Sequence, residues 1–132
     1  MFTNSVEESR VCTGILQFLG ITAYSVNADV NLDERSKYYR EYLSDRKDPI
    51  VLCNYGVLTT GFDAPKTSCV IIARPVSSLI VYSQIVGRAL RGPAANGTKY
   101  AKIITMLSTG DKEFLDLVSA FDRWNYQWSS IQ

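Results

Sequence analysis

Two short stretches of the sequence carry residues whose types and spacing could do chemistry. In Tyr82-Ser-Gln-Ile-Val-Gly-Arg-Ala-Leu-Arg91, the residues Gln84, Arg88 and Arg91 stand at i, i+4 and i+7, which share one face of a helix. Val81, Ile85, Val86, Ala89 and Leu90 fall towards the other side, where they would seat that helix against a sheet. Two guanidinium groups and one amide then project together from an apolar platform. Such a pair suits an anion, because the planar fork matches phosphate oxygens bidentately and stays charged at any working pH. The same two arginines would also read as solvated cations near a helix C-terminus, where the macrodipole favours them.

The second stretch is Asn54-Tyr-Gly-Val-Leu-Thr-Thr-Gly-Phe-Asp-Ala-Pro65. Thr59, Thr60 and Gly61 offer two hydroxyls and an unencumbered backbone amide, groups that contact a phosphate without net charge. Asp63, between Phe62 and Pro65, adds a carboxylate suited to accept from a ribose hydroxyl or to hold an arginine. An ordinary turn with an Asx cap would use the same residues.

The surrounding pattern says what positions these stretches. Short β-rich apolar runs alternate with amphipathic segments, as in βαβ units of a parallel sheet. Ser5-x-x-Glu8 is a capping box, and Val11, Ile15, Phe18 and Leu19 follow at helical spacing, predicting a helix over about 6 to 19 stopped by Gly20. A strand is expected at 21 to 26, and Asn31-x-x-Glu34 caps a second helix to about Leu43, rich in charge and in tyrosine (Tyr38, Tyr39, Tyr42) that would pack against the domain. Strands are expected next at 50 to 54 and 68 to 73, the latter closed by Arg74-Pro75. Ser77 or Ser78 then caps a third helix to about Leu90, and a last strand at about 100 to 106 precedes a C-terminal helix from about Asp111 to Trp128. The core runs are continuously apolar, as when helices cover both faces of a sheet. The expected fold is therefore α/β, a three-layer α/β/α domain with a mostly parallel sheet. The chain enters its first capped helix after Met1-Phe2-Thr3, so the first strand is expected to be truncated, as at a fragment boundary.

Composition narrows the functions open to this domain. A chain of 132 residues, 46% hydrophobic and 20% charged, is long enough to bury its own core. Fourteen basic and thirteen acidic residues leave a net charge of +1, so any nucleic-acid contact must be local. Histidine is absent, which removes the commonest metal ligand and general base, and no metal site is expected. Cys12, Cys53 and Cys69 are widely spaced within apolar runs and read as buried, reduced thiols of a cytosolic protein. No apolar run approaches a membrane span, so a soluble protein of cytoplasm, nucleoid or nucleus is expected, without a membrane partner.

The two stretches together resemble motifs V and VI of superfamily 2 helicases: Asn54 to Pro65 is similar to motif V, Tyr82 to Arg91 to motif VI, and the gap between them is typical. Phe2-Thr-Asn-Ser-Val-Glu-Glu-Ser9 is similar to motif IV, and Asn27 to Arg35 occupies the place of the loop and helix that come after it. The resemblance covers about residues 1 to 106, leaving 107 to 132 as a helical extension whose aromatics would pack on the same domain. Its texture is closest to the branch of type III restriction subunits and DNA-repair or phage helicases; the motif VI of DEAD-box RNA helicases usually starts with His.

The resemblance implies a RecA-like domain of the P-loop NTPase type, the C-terminal motor half of an ATP-dependent helicase or translocase. It implies that Arg91 is an arginine finger and that Arg88 and Gln84 organise the same catalytic face. Gly61 and Asp63 would join Arg88 and Arg91 around the nucleotide, while Thr59, Thr60 and Asn54 would contact nucleic acid, DNA more readily than RNA. ATP and Mg²⁺ would be held mainly by an N-terminal RecA-like domain, because no G-x-x-x-x-G-K-[ST] loop is present and no acidic D-E-x-x box succeeds an apolar strand here. The isolated chain is therefore expected to hydrolyse no ATP. The alternative is a non-enzymatic module derived from a motor half, which binds nucleic acid or protein alone. A dinucleotide-binding oxidoreductase would share the general fold, but the G-x-G-x-x-G turn it needs is missing.

Overall fold

Each helix begins where a short polar side chain satisfies amides that the first turn cannot pair. In the computed structural model, which describes residues 1 to 58, 63 to 106, 119, 120 and 122, Ser5 Oγ accepts from the Glu8 amide at 3.1 Å and opens α1, Val6–Phe18. The Glu8 carboxylate accepts in return from the Asn4 amide at 2.9 Å. Asn31 Oδ1 accepts from the Glu34 amide at 2.9 Å and opens α2, Leu32–Leu43. Ser78 Oγ, the second of the two expected caps, accepts from Val81 and opens α3, Leu79–Val86. Gly20 ends the first helical segment with a φ of 79°, a conformation that costs glycine little.

The strands are β1 (Phe2–Thr3), β2 (Thr22–Val26), β3 (Ile50–Asn54), β4 (Cys69–Ala73) and β5 (Lys102–Thr105), with one 3₁₀ turn at Pro93–Ala95. They form one sheet in the order β2-β3-β1-β4-β5, and every pairing is parallel. The fold is the expected RecA-like α/β type. The first strand is two residues long, yet its ladder reaches the first atom of the chain. The Met1 ammonium donates to the Leu52 carbonyl at 2.7 Å, and the Asn54 amide donates to the Met1 carbonyl at 2.9 Å. Burial pushes the pKa of that ammonium down.

Alternation along β2 separates the two faces of the sheet. Ser25 meets α1, its hydroxyl 2.8 Å from that of Ser9, while the neighbouring Tyr24 stacks on Tyr38 of α2 and donates to Glu41 at 2.6 Å. Right-handed crossovers produce this arrangement, α1 on one face and α2 on the other. The apolar core lies on the second face, where Phe2, Val26, Leu52, Val70 and Ile72 meet Tyr82, Ile85 and Val86 of α3. Tyr38, Tyr39 and Tyr42 pack against this core, as expected.

The buried face of α1 is not its apolar stripe. Val11, Ile15, Phe18 and Leu19, whose spacing predicts the helix, are exposed, Phe18 at 90%. Ser9 and Thr13 are buried instead. The reason is the closeness of the helix to the sheet: with Ser9 in hydroxyl contact with Ser25, only small side chains fit between the layers. Thr13 Oγ1 donates to the Ser9 carbonyl at 2.8 Å, so its polar atom is satisfied inside. All three cysteines are free, but Cys69 is exposed and Cys12 half-buried, so only Cys53 matches the expected burial. Of the expected C-terminal helix, Ser119, Ala120 and Asp122 are helical and Ala120 joins the core; the rest lies outside the described residues. Among the described residues no helix is long and apolar enough to cross a membrane.

Candidate functional site

Parallel strands end at one edge of the sheet, and the loops that leave their carboxyl ends are where such folds collect ligands. The segment after β3 and the segment after α3 meet through one side-chain contact. Arg91 Nη1 lies 3.0 Å from Asp63 Oδ1, so the acidic residue of the first stretch holds an arginine of the second. This realises one of the two roles open to Asp63. Both side chains keep water access, 40% exposed for Arg91 and 72% for Asp63, so the pair is an accessible contact worth about 0 to 1 kcal/mol.

Arg88 sits deeper. Burial lowers its pKa first and the neighbouring Arg91 cation lowers it further, while Asp63 and Tyr39 act in the opposite sense. Two cations, one carboxylate and a phenol from α2 are thus close enough to feel one another's charge. An anion entering this cluster would relieve the repulsion between the arginines.

The way Arg91 is presented differs from the helical reading. The helix α3 ends at Val86, not near Leu90, and beyond it Arg88 N bonds to Ile85 O at 3.3 Å and Ala89 N to Val86 O at 3.0 Å. These i to i−3 bonds tighten the chain into a 3₁₀-like turn. Gln84 remains on the helix with its side chain exposed, Arg88 comes next in the turn, and Arg91 lies beyond it, so the three do not share one helical face. The Gly87 amide bonds to Ser83 O at 2.8 Å, and an added Cβ would lie 2.9 Å from that same oxygen. Ile85, Val86 and Ala89 are buried as expected, Val81 is half-buried, and Leu90 is exposed.

The loop that carries Thr59, Thr60 and Gly61 falls outside the described residues, but both its flanks are anchored: Leu58 and Ala64 are buried. Asn54 is fully buried and its Nδ2 donates to the Met1 carbonyl at 2.9 Å, so its side chain is not open to a strand here. Among the described residues, no group of three or more His, Cys, Asp or Glu side chains is gathered that could hold a metal ion. A cavity of about 520 Å³ opens between β3 and β4 beside the short β1, where Arg88 of the charged cluster lines it together with Met1, Ile50, Val51, Cys69 and Ile71. It is a gap left in the sheet, and Arg91 and Asp63 do not line it.

Sequence reasoning missed two glycines. Gly87 stood inside the recognised motif, yet its closeness to the Ser83 carbonyl appears only in the fold. Gly97 lies outside any motif, although it packs directly on Arg91.

Comparison with known proteins agrees with this geometry. Residues 1–93 match the family model described as the helicase conserved C-terminal domain. The chain is 33% identical over 91 residues to a "51.5 kDa protein" of a Lactococcus phage (isolate 7-9), covering 69% of this chain and 20% of that protein. It is 32% identical over 72 residues to the "Putative ATP-dependent helicase IRC3" of Saccharomyces cerevisiae, covering 54% of this chain and 10% of that protein. The chain thus spans a fifth or less of the curated relatives it matches. Among solved structures, the C-terminal domain of the DEAD-box protein Dbp5 superposes with a TM-score of 0.69 at 20% identity, over 94% of this chain and 67% of that one. The C-terminal part of the Fun30 ATPase domain gives 0.65 at 14% identity, over 98% and 46%. At these identities the structures speak for the fold, and the family match speaks for membership. With a parallel five-stranded sheet of RecA-like type, two motif stretches in contact and residues 1–93 matching that model, this chain belongs to the helicase conserved C-terminal domain family.

Proposed function

We propose that this domain is the C-terminal motor half of an ATP-dependent helicase or translocase, and that Arg91 is its arginine finger. The observation that carries the reading is the cluster of Arg88, Arg91 and Asp63, which joins the two motif stretches. In this reading ATP is bound mainly by a second, N-terminal RecA-like domain, which supplies the phosphate-binding loop and the Mg²⁺ site. Closure of the two domains brings Arg91 to the γ-phosphate. Charge develops there on the transferring phosphoryl oxygens, and a preorganised cation stabilises it.

Asp63 gives the finger a resting partner. A weak, solvent-accessible carboxylate contact keeps Arg91 at the cleft, and a triphosphate with more charge displaces it. Arg88 adds charge from a drier position, and Gln84 and Gly61 complete the nucleotide side. Thr59 and Thr60 form the strand side. Closing and opening of the cleft would then alternate the grip on nucleic acid and move the strand. DNA is favoured over RNA by the resemblance to phage and repair helicases; the Mss116 domain of similar fold was solved on an RNA duplex. Residues 1 to 106 form the motor half, and 107 to 132 an extension packed on it.

The decisive experiment joins this chain to an ATP-binding RecA-like domain and measures nucleic-acid-stimulated ATP turnover before and after Arg91→Ala. A loss of about 10³-fold or more is expected. Unchanged turnover would end the finger role. Salt-sensitive binding of a single-stranded oligonucleotide by this chain alone, indifferent to ATP, would favour the reading as a non-enzymatic binding module.

A further inference from the structure

An arginine that must meet a phosphoryl group at a fixed distance needs a fixed base. The helix does not supply one, because α3 ends at Val86 and the last buried residue before Arg91 is Ala89. Leu90 and Arg91 are exposed. Immediately beyond Arg91 the chain closes into a tight turn. Gly92 O accepts from Ala95 N at 3.2 Å and from Gly97 N at 2.7 Å, while Pro93 O accepts from Asn96 N at 3.1 Å. The turn needs a φ of 67° at Gly92 and of 58° at Asn96, which glycine and asparagine accept more readily than other residues.

Gly97 closes this turn against the arginine itself. A Cβ at position 97 would stand 2.8 Å from both Gly92 N and Gly92 O and 2.9 Å from Arg91 Cβ. None of these atoms is the movable tip of a side chain. Any side chain at 97 must therefore shift the Arg91–Gly92 peptide, and with it the base of the guanidinium.

We propose that the Gly92–Gly97 turn is a clamp that fixes the base of Arg91, with Gly97 as a positioning residue for the arginine finger. The proposal rests on the finger role stated above. It predicts that the clamp governs the rate of the chemical step and leaves substrate binding alone, because a misplaced cation loses stabilisation of the transition state more than of the ground state.

The test uses this chain together with its ATP-binding partner domain and compares Gly97→Ala, Arg91→Ala and the double variant. Gly97→Ala should lower kcat by about ten- to a hundredfold, with KM for ATP and oligonucleotide affinity within about twofold. In the Arg91→Ala background it should add nothing further, a readout that a purely structural role would not produce. Asn96→Gly adds no atom and so guards against misfolding; by loosening the turn it should lower kcat by about two- to fivefold. Wild-type kcat in both turn variants overturns the clamp, as does an equal further loss in the Arg91→Ala background. If Arg91→Ala itself leaves turnover intact, the finger reading has failed, and that result is distinct from failure of the clamp.

Discussion

The two faces of the sheet are built by opposite means. Under α3, large apolar side chains interlock: Tyr82, Ile85 and Val86 rest on Phe2, Leu52, Val70 and Ile72, and the turn carrying Arg88 and Arg91 leaves from this block. Under α1, the contact is made by Ser9, Thr13 and Ser25, joined by hydroxyl hydrogen bonds, while the large apolar residues of that helix face outward. One face gives a rigid apolar seat beneath charged groups. The other brings a helix close to the sheet and uses small polar groups to do so. Apolar periodicity in a helix therefore marks an amphipathic element, but it does not say which stripe is inside.

This contrast can be broken first at its charged residues. Arg91→Ala should reduce ATP turnover of the joined domains by about 10³-fold. Removing Arg10, whose exposed pair with Asp29 lies on the α1 side, should change turnover no more than about twofold. A large effect at Arg10 would mean that both faces serve the motor.

Packing gives the next largest difference. Ile85 is fully buried among branched and aromatic neighbours, so Ile85→Ala should cost about 2 to 5 kcal/mol in denaturant unfolding of the isolated chain. Thr13→Ala on the other face removes one buried hydroxyl that bonds Ser9 O and the Cys53 thiol, at a cost of about 1 kcal/mol. Equal costs would show that the hydroxyl-lined layer is as demanding as the apolar one.

The exposed stripe gives a smaller effect. Phe18→Ser should move stability by no more than about 0.5 kcal/mol and reduce self-association measured by light scattering. A cost above about 2 kcal/mol would mean that Phe18 is covered in solution.

The smallest effect is one of pH. Lys66 holds the Asp45 carboxyl below its ordinary value through a hydrogen bond and its charge. A depressed folded-state pKa contributes stability above the unfolded value of about 4, and the contribution fades as pH falls through the lower folded value. Asp45→Asn should flatten the loss of stability below about pH 4 slightly in urea titrations. An unchanged slope would show that the exposed pair contributes nothing measurable.

Much of this architecture is legible in the order of residues alone. The caps Ser5, Asn31 and Ser78 and the continuously apolar β3 and β4 come from local hydrogen bonding and periodicity, which act over a few residues. The meeting of Asp63 with an arginine was one of two roles its position allowed, and the fold chose between them. The end of α3 falls before Leu90 because the bonds of Arg88 and Ala89 shift to i−3 carbonyls, which nothing in Gln84 to Arg91 reveals. Gly97 was invisible for the same reason: its neighbour in space is Arg91, and only the closed turn brings them together.

Residue type and near-neighbour spacing are enough to read the family, the parallel α/β architecture and the identity of the charged residues. Tertiary structure decided which side of α1 is inside, where α3 stops and what holds Arg91. Those depend on interlayer distance and on backbone atoms of residues far along the chain, and side-chain volume there outweighs hydrophobic pattern.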